Sequence, residues 1–200
     1  MRWVGAEVTK DAYGIYLVNR AENWEEFKTG VSYFKVPGQN FTYADNKGNI
    51  GYICAAYLPI RENVSSTFVY DGSTDKYDWK GFVPFAEMPK LFNPPQNFIA
   101  SANNKTVRDF KYHISNLWEP PSRIIRINEL LTKKEKHSVA DYMKYQNDFV
   151  SPFARELKIY LLDAFKDVKV KDKNLETTLE LLRTWDGNFS PQNQTPTIFS

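Results

Sequence analysis

Two carboxamides side by side, Asn103 and Asn104, close the run NFIASANNK at residues 97–105. An Asn side chain carries a neutral NH₂ donor that keeps its proton at working pH. It can therefore stabilise a developing oxyanion without competing as an acid, which is what an oxyanion hole requires. The small residues just before the pair, Ser101 and Ala102, leave room for a substrate carbonyl beside it. Spacing alone keeps a plainer alternative open: two amides that end a strand and satisfy the local backbone.

No other set of residues reads as a self-contained active site. His113 and His137 have no partner at metal-ligand spacing and read as surface or satisfied histidines. The GxSxG elbow, the P-loop and HExxH are all missing from the sequence, and no pair of acids is marked out as a catalytic dyad. The single cysteine, Cys54, lies in the apolar run IGYICAAYL as an inert core thiol. One cysteine excludes an internal disulfide and a Cys-based metal cage, and says nothing of the compartment.

Charge and hydropathy narrow the partners. A net charge of +2, from 26 basic and 24 acidic residues, gives no electrostatic case for nucleic acid, and the basic run at 133–136 is broken by Glu135 into a solvated helix end. No apolar run approaches the ~20 residues of a membrane span, so no membrane partner is expected. The opening MRWVGAEVTK has no long apolar region or cleavage signature of a signal peptide. It opens in strand-like composition, as the interior of a longer protein would.

The elements that must position Asn103 follow from pattern. Residues 2–8 and 13–18 are short apolar, strand-like stretches, whereas Ala21, Trp24, Phe27, Val31 and Phe34 recur at helical spacing until Pro37 and Gly38. In FTYADNKGNIGYICAAYL two strand-like runs flank Asp45–Asn49, where Gly48 can supply positive φ; the pattern predicts a β-hairpin. Residues 60–97 hold most of the prolines and show no period. They read as a long ordered loop whose Tyr70, Tyr77, Trp79, Phe82, Phe85 and Phe92 are too dense to stay exposed. Phe98–Asn103 reads as one more strand.

Beyond it the pattern turns helical. Ile124, Ile127, Leu130 and Leu131 share a face; Ser138 with Asp141 resembles a capping box; Pro152 suits the first position of a helix carrying Phe153, Leu157, Tyr160, Leu161 and Phe165. A last helix turns Leu175, Leu179, Leu182 and Trp185 inward and stops at Gly187 as its C′ residue. Strands first and helices later give an α+β class, in one piece that is strand-rich over 1–104 and mainly helical over 105–200.

Seven blocks resemble, in order, segments of the penicillin acylase family: QNFTYADNKGNIGY (39–52), PIR (59–61), WKGFVPF (79–85), NPPQNFIASANN (93–104), EPPSRIIRINELL (119–131), QNDFVS (146–151) and WDG (185–187). The resemblance implies the middle of the large subunit of an N-terminal-nucleophile hydrolase with a layered αββα core. Its precursor cleaves itself to expose a serine, which attacks a linear amide and passes through an acyl-enzyme. Asn103 matches the first Asn of the family's ANN block, which implies the side-chain donor of its oxyanion hole. Arg123 matches the family's supporting arginine, whose guanidinium holds polar groups in register without titrating.

The block that should carry the serine has no counterpart in this sequence, so the chain is expected to be inactive alone. Its expected partners are the remainder of the same precursor (small subunit and N-terminal part of the large one) and a small amide substrate. Penicillins, cephalosporins, acylated homoserine lactones and acyl amino acids all remain open. The resemblance points to a periplasmic or extracellular setting. It implies no cofactor for this piece and leaves a structural calcium ion to the parent, since Asp109 does not align with the carboxylate that would hold it. Asn97 stands where many relatives have Gly, and Asn is the next-best residue for a left-handed backbone. The alternative of another class is a non-catalytic module that binds sugar or another ligand through the aromatics of residues 68–92.

Overall fold

The computed structural model describes residues 2–62 and 64–200. By its internal contacts the chain divides into two compact units, one ending at Trp118 and the other running Glu119–Ser200. Helices and a small antiparallel sheet together make the α+β class expected from sequence.

The first unit opens with a 3-10 turn at Val4–Ala6, followed by helices α1 (Asp11–Arg20) and α2 (Trp24–Ser32). Both stretches read as strand from sequence therefore adopt helical turns instead. A run such as AYGIYLV is too short for its period to separate the two states, and packing decides it. A Cβ on Gly30 would meet Val18 N at 2.7 Å and one on Gly14 would meet Gly30 O at 2.9 Å, so the two helices cross through their glycines. The Asp11 carboxylate accepts from the Lys35 and Val36 amides, the latter at 3.1 Å, which ties the start of α1 to the chain leaving α2. The helix expected over 21–34 starts at Trp24, capped by Asn23, whose Oδ1 accepts from Glu26 N at 3.0 Å.

Strands β1 (Gln39–Ala44) and β2 (Ile50–Ala55) form the expected hairpin, in register from Gln39↔Ala55 to Ala44↔Ile50. Gly48 takes φ +86° in the connection. On one face of β2, Ile53 and Ala55 are buried against Phe27 and Val31, inside a ring of Trp24, Phe34, Phe41 and Tyr43. A second cluster, Leu58, Val83 and Met88, packs with Cys54, Ala56, Phe110 and Tyr112. The long loop folds back to add β3 (Lys90–Phe92) beside β2, pairing Gly51↔Phe92 and Ile53↔Lys90. Of its six marked aromatics, Tyr70, Tyr77, Trp79, Phe82 and Phe85 are half-buried; Phe92 stays 44% exposed and stacks on Trp24 at 5.0 Å.

Phe98–Asn103 is not a strand. Among the described residues the one sheet is β1-β2-β3, and an apolar run without a hydrogen-bonding partner strand cannot enter a ladder.

The second unit is helical: α3 (Ser122–Thr132), α4 (Val139–Gln146), α5 (Pro152–Ala164), α6 (Lys173–Thr184) and α7 (Thr195–Phe199). The capping box at the start of α4 is complete: Ser138 Oγ accepts from Asp141 N at 3.3 Å, and Asp141 Oδ2 from Ser138 N at 2.7 Å. Pro152 opens α5 behind Ser151, whose hydroxyl accepts from Ala154 N at 3.2 Å. Ala154, Leu182 and Trp185 are buried together with Leu162, Phe189 and Phe199 around them. Gly187 takes φ +81° but stands two residues past the α6 C-cap, Trp185, rather than at C′.

Candidate active site

The segment 97–106 is shaped by two residues with left-handed backbone, Asn97 (φ 58°) and Asn103 (φ 59°). Both are asparagines, which accept this conformation more readily than other residues with a Cβ. Between them, Ala102 is 6% exposed and anchors the segment, while Asn103 is exposed to solvent. The second carboxamide serves the backbone. Asn104 Oδ1 accepts from Ala102 N at 3.0 Å and its Nδ2 donates to Lys105 O at 3.1 Å, closing a tight turn around Asn103. Of the two adjacent amides, one shapes the turn and the other stands at its apex.

The turn is held to the hairpin by a chain of hydrogen bonds. Asn40 on β1 donates from Nδ2 to Ser101 Oγ at 3.2 Å, and its Oδ1 accepts from the Tyr52 hydroxyl of β2 at 2.6 Å. The same hydroxyl stands 3.3 Å from Thr106 Oγ1. Tyr52 is 5% exposed, and burial pushes its phenol up to about 12. One strand pair thus grips residues 101 and 106 on either side of Asn103. Asn40, Tyr52 and Thr106 were not singled out from sequence. The available signal was a polar Asn and Tyr in the hairpin strands, which looks the same as any solvated strand face until the partner loop is known.

Beyond the turn an open groove of about 430 Å³ is lined by Lys105, Arg108, Lys111, His113, Asn116 and Trp118 among others. Asn103 is not part of that lining. His113 Nε2 lies 3.0 Å from Ser66 Oγ, and Lys111 is paired with Glu87 at 2.5 Å. Cys54 is partly buried, and burial pushes its thiol up, as suits an unreactive core cysteine. Asp109 is exposed, and among the described residues no group of three His, Cys, Asp or Glu side chains gathers.

Arg123 lies in the first turn of α3 in the second unit, with its Nη2 3.9 Å from Glu119 Oε2. It lines a groove of about 340 Å³ with Ile127, Leu130, Tyr145, Phe149 and Val150. Below it, Arg126 holds Asp148 through Nε at 2.8 Å and Nη2 at 2.7 Å, and reaches Glu129 through Nη1 at 2.7 Å. Glu129 in turn accepts from Arg155 Nη1 at 3.3 Å, and Arg155 Nε donates to Asp186 O at 2.8 Å. Ser151 N donates to Gly187 O at 2.9 Å. The blocks EPPSRIIRINELL, QNDFVS and WDG, far apart in sequence, meet in this network. His137 is satisfied nearby in the chain, 2.9 Å from both the Tyr145 hydroxyl and Leu131 O.

Comparison with known families matches the penicillin amidase model over residues 1–200. The chain belongs to the penicillin amidase family. Penicillin G acylase of Escherichia coli is 29% identical over 192 residues, 92% of this chain and 22% of that protein. The acyl-homoserine lactone acylase QuiP of Pseudomonas aeruginosa is 26% identical over 158 residues, 78% of this chain and 18% of its own length. Among solved structures, the thermostable penicillin G acylase from Alcaligenes faecalis superposes with a TM-score of 0.73 at 25% identity, covering 94% of this chain and 36% of that one. The chain thus spans about a fifth of the length of the curated penicillin amidase relatives it matches. Those relatives are named for amide substrates of two kinds, a penicillin and an acylated homoserine lactone.

Proposed function

We propose that this chain is a central part of an amidohydrolase that cleaves linear amides by acyl transfer to an N-terminal serine, and that it supplies the Asn103 carboxamide to the oxyanion hole. The observation that carries the reading is the turn itself. An exposed Asn with left-handed backbone, pinned on both sides, sits in a block that resembles the family's ANN segment within a match over residues 1–200. A neutral donor held in advance where negative charge develops needs no reorganisation during reaction, the condition under which such donors are worth most.

Arg123 is the second site residue. Its place on the first turn of α3, lining the same groove as the Arg126–Asp148 pair, suits a guanidinium that holds polar groups in register rather than one that transfers a proton. The remainder of the precursor supplies the nucleophile and most of the acyl pocket, so the 200-residue chain alone should release no acid from an amide. Penicillins, other acylated amines and acyl-homoserine lactones share the linear amide that the chemistry requires.

The test is substitution in the full-length protein. Asn103→Ala alone would confuse lost chemistry with backbone strain at φ 59°. Asn103→Asp and Asn103→Gly both accept that backbone while removing the NH₂ donor. Each should lower kcat by ~10²-fold or more, the usual loss for one oxyanion donor. An unchanged kcat in both variants removes Asn103 from the mechanism.

A further inference from the structure

We infer that Tyr52 and Asn40 are positioning residues for the oxyanion donor: the Tyr52 hydroxyl, acting through Asn40 and Ser101 on one side and Thr106 on the other, sets where the Asn103 turn stands. The inference rests on the oxyanion reading of Asn103 and names what holds that residue in place.

Geometry carries it. In the β1–β2 register Thr42 faces Tyr52 and Asn40 faces Cys54, so Asn40 and Tyr52 are diagonal neighbours on one face of the hairpin, within reach of each other's polar ends. Tyr52 is buried and its ring is locked by packing, so its hydroxyl is a fixed point in a way that a surface side chain is not. The Asn40 oxygen can only accept, which commits the Tyr52 proton to it and orients the Asn40 NH₂ toward Ser101. Residues 98–106 belong to no helix or strand, and inside the turn Asn104 links Ala102 to Lys105. A donor must sit within a few tenths of an ångström of the developing oxyanion, and irregular backbone reaches that precision only through supporting contacts.

Loss of the hydroxyl should therefore lower kcat rather than raise KM, because the donor is needed in the transition state and not for binding. Tyr52→Phe keeps the ring and removes one hydrogen bond, so kcat should fall about tenfold, with KM within about twofold.

The decisive measurement is a double-variant cycle in the full-length protein, with kcat and KM on a chromogenic linear amide for Tyr52→Phe, Asn103→Gly and the pair. Each variant is normalised to its folded, processed fraction. If Tyr52 acts through Asn103, the double variant turns over no more slowly than Asn103→Gly alone. The inference is overturned if Tyr52→Phe leaves kcat unchanged while Asn103→Gly lowers it, or if the Tyr52→Phe loss persists in full on the Asn103→Gly background. Either result leaves the oxyanion reading standing. An unchanged kcat in Asn103→Gly sinks that reading, and this inference with it. Should Tyr52→Phe fail to fold, Ser101→Ala breaks the same chain at its far end and is read in the same cycle.

Discussion

The Arg126 guanidinium lies bidentate on the Asp148 carboxylate, with Nε at 2.8 Å and Nη2 at 2.7 Å, and so ties the middle of α3 to the chain entering α5. Both side chains are largely sheltered, at 21% and 17% exposure, and the arginine holds the carboxyl below its ordinary range. Charge-assisted, bidentate and partly screened from water, this pair is of the kind that matters to stability.

Asp148→Ala should accordingly loosen α3 and the start of α5. A hydrogen bond to a charged group contributes about 1.5–3 kcal/mol, and removing the acid also leaves Arg126 with Glu129 alone. Hydrogen exchange over 122–132 and 152–164 in the full-length protein should speed up by one to two orders of magnitude, roughly that energy expressed as a ratio. Unchanged protection would show the pair to be incidental.

The hairpin should weaken in acid. Asp45 accepts from Asn49 Nδ2 at 2.8 Å, from the Lys47 and Asn49 amides at 2.9 Å each, and from the Tyr43 hydroxyl at 3.0 Å. These bonds, the Asn49 side chain first, lower its carboxyl from the ordinary 3.8 to about 2. A depressed folded value means that the stabilisation is present above about pH 4 and is lost as pH falls toward 2. Protection of the Lys47 and Asn49 amides, measured against their intrinsic exchange at each pH, should therefore fall across that window, and Asp45→Asn should abolish that change in protection.

Gly187→Ala should destabilise the second unit. Its φ of +81° disfavours any L side chain, and a Cβ would meet Arg155 Cγ at 2.7 Å, disturbing the Arg155 to Asp186 bond. A loss of about 1–2 kcal/mol or more is expected from the backbone alone. Gly72→Ala is the control, since a Cβ there meets nothing within 4 Å. Thermal midpoints of the two variants should separate by several degrees.

Asn97 should tolerate Gly and resist branching. At φ 58°, Asn97→Gly should leave stability within about 0.5 kcal/mol, whereas Asn97→Val should cost about 1–2 kcal/mol and displace the segment leading to Ala102. The kcat of the full-length protein should follow the same order. A Val variant with unchanged activity would show that the approach to the turn is unimportant.

The 200-residue chain alone should self-associate. Along α5, Phe153, Ile159, Tyr160 and Leu161 are 58%, 63%, 65% and 37% exposed, an apolar display that monomers rarely keep bare. Light scattering should show species above one chain's mass, with binding of a hydrophobic dye. A clean monomer without dye binding would contradict this.

How much could be read before the fold was known depended on how local each cause is. The hairpin around Gly48, the capping box of Ser138 and Asp141, and Pro152 at the start of α5 rest on a few neighbouring residues, and each is where its pattern put it. The stretch 13–18 became helix because Gly14 and Gly30 let α1 and α2 approach, a contact no short apolar run announces. The strand expected over 98–103 did not form, since a strand depends on a partner and β3 took the edge of β2 instead.

The sequence by itself determined what kinds of chemistry were available: a neutral amide donor in a block resembling a known family, and one thiol in an apolar run. Composition and local propensity decide such things, because they depend on residue identity and near neighbours. Only the tertiary structure decided which of the two amides stands exposed at the apex of the turn, and that a buried tyrosine grips its flanks. Those are contacts across 54 and 61 residues of chain, between Tyr52 and Thr106 and between Asn40 and Ser101, and pairing at that distance is set by packing rather than by pattern.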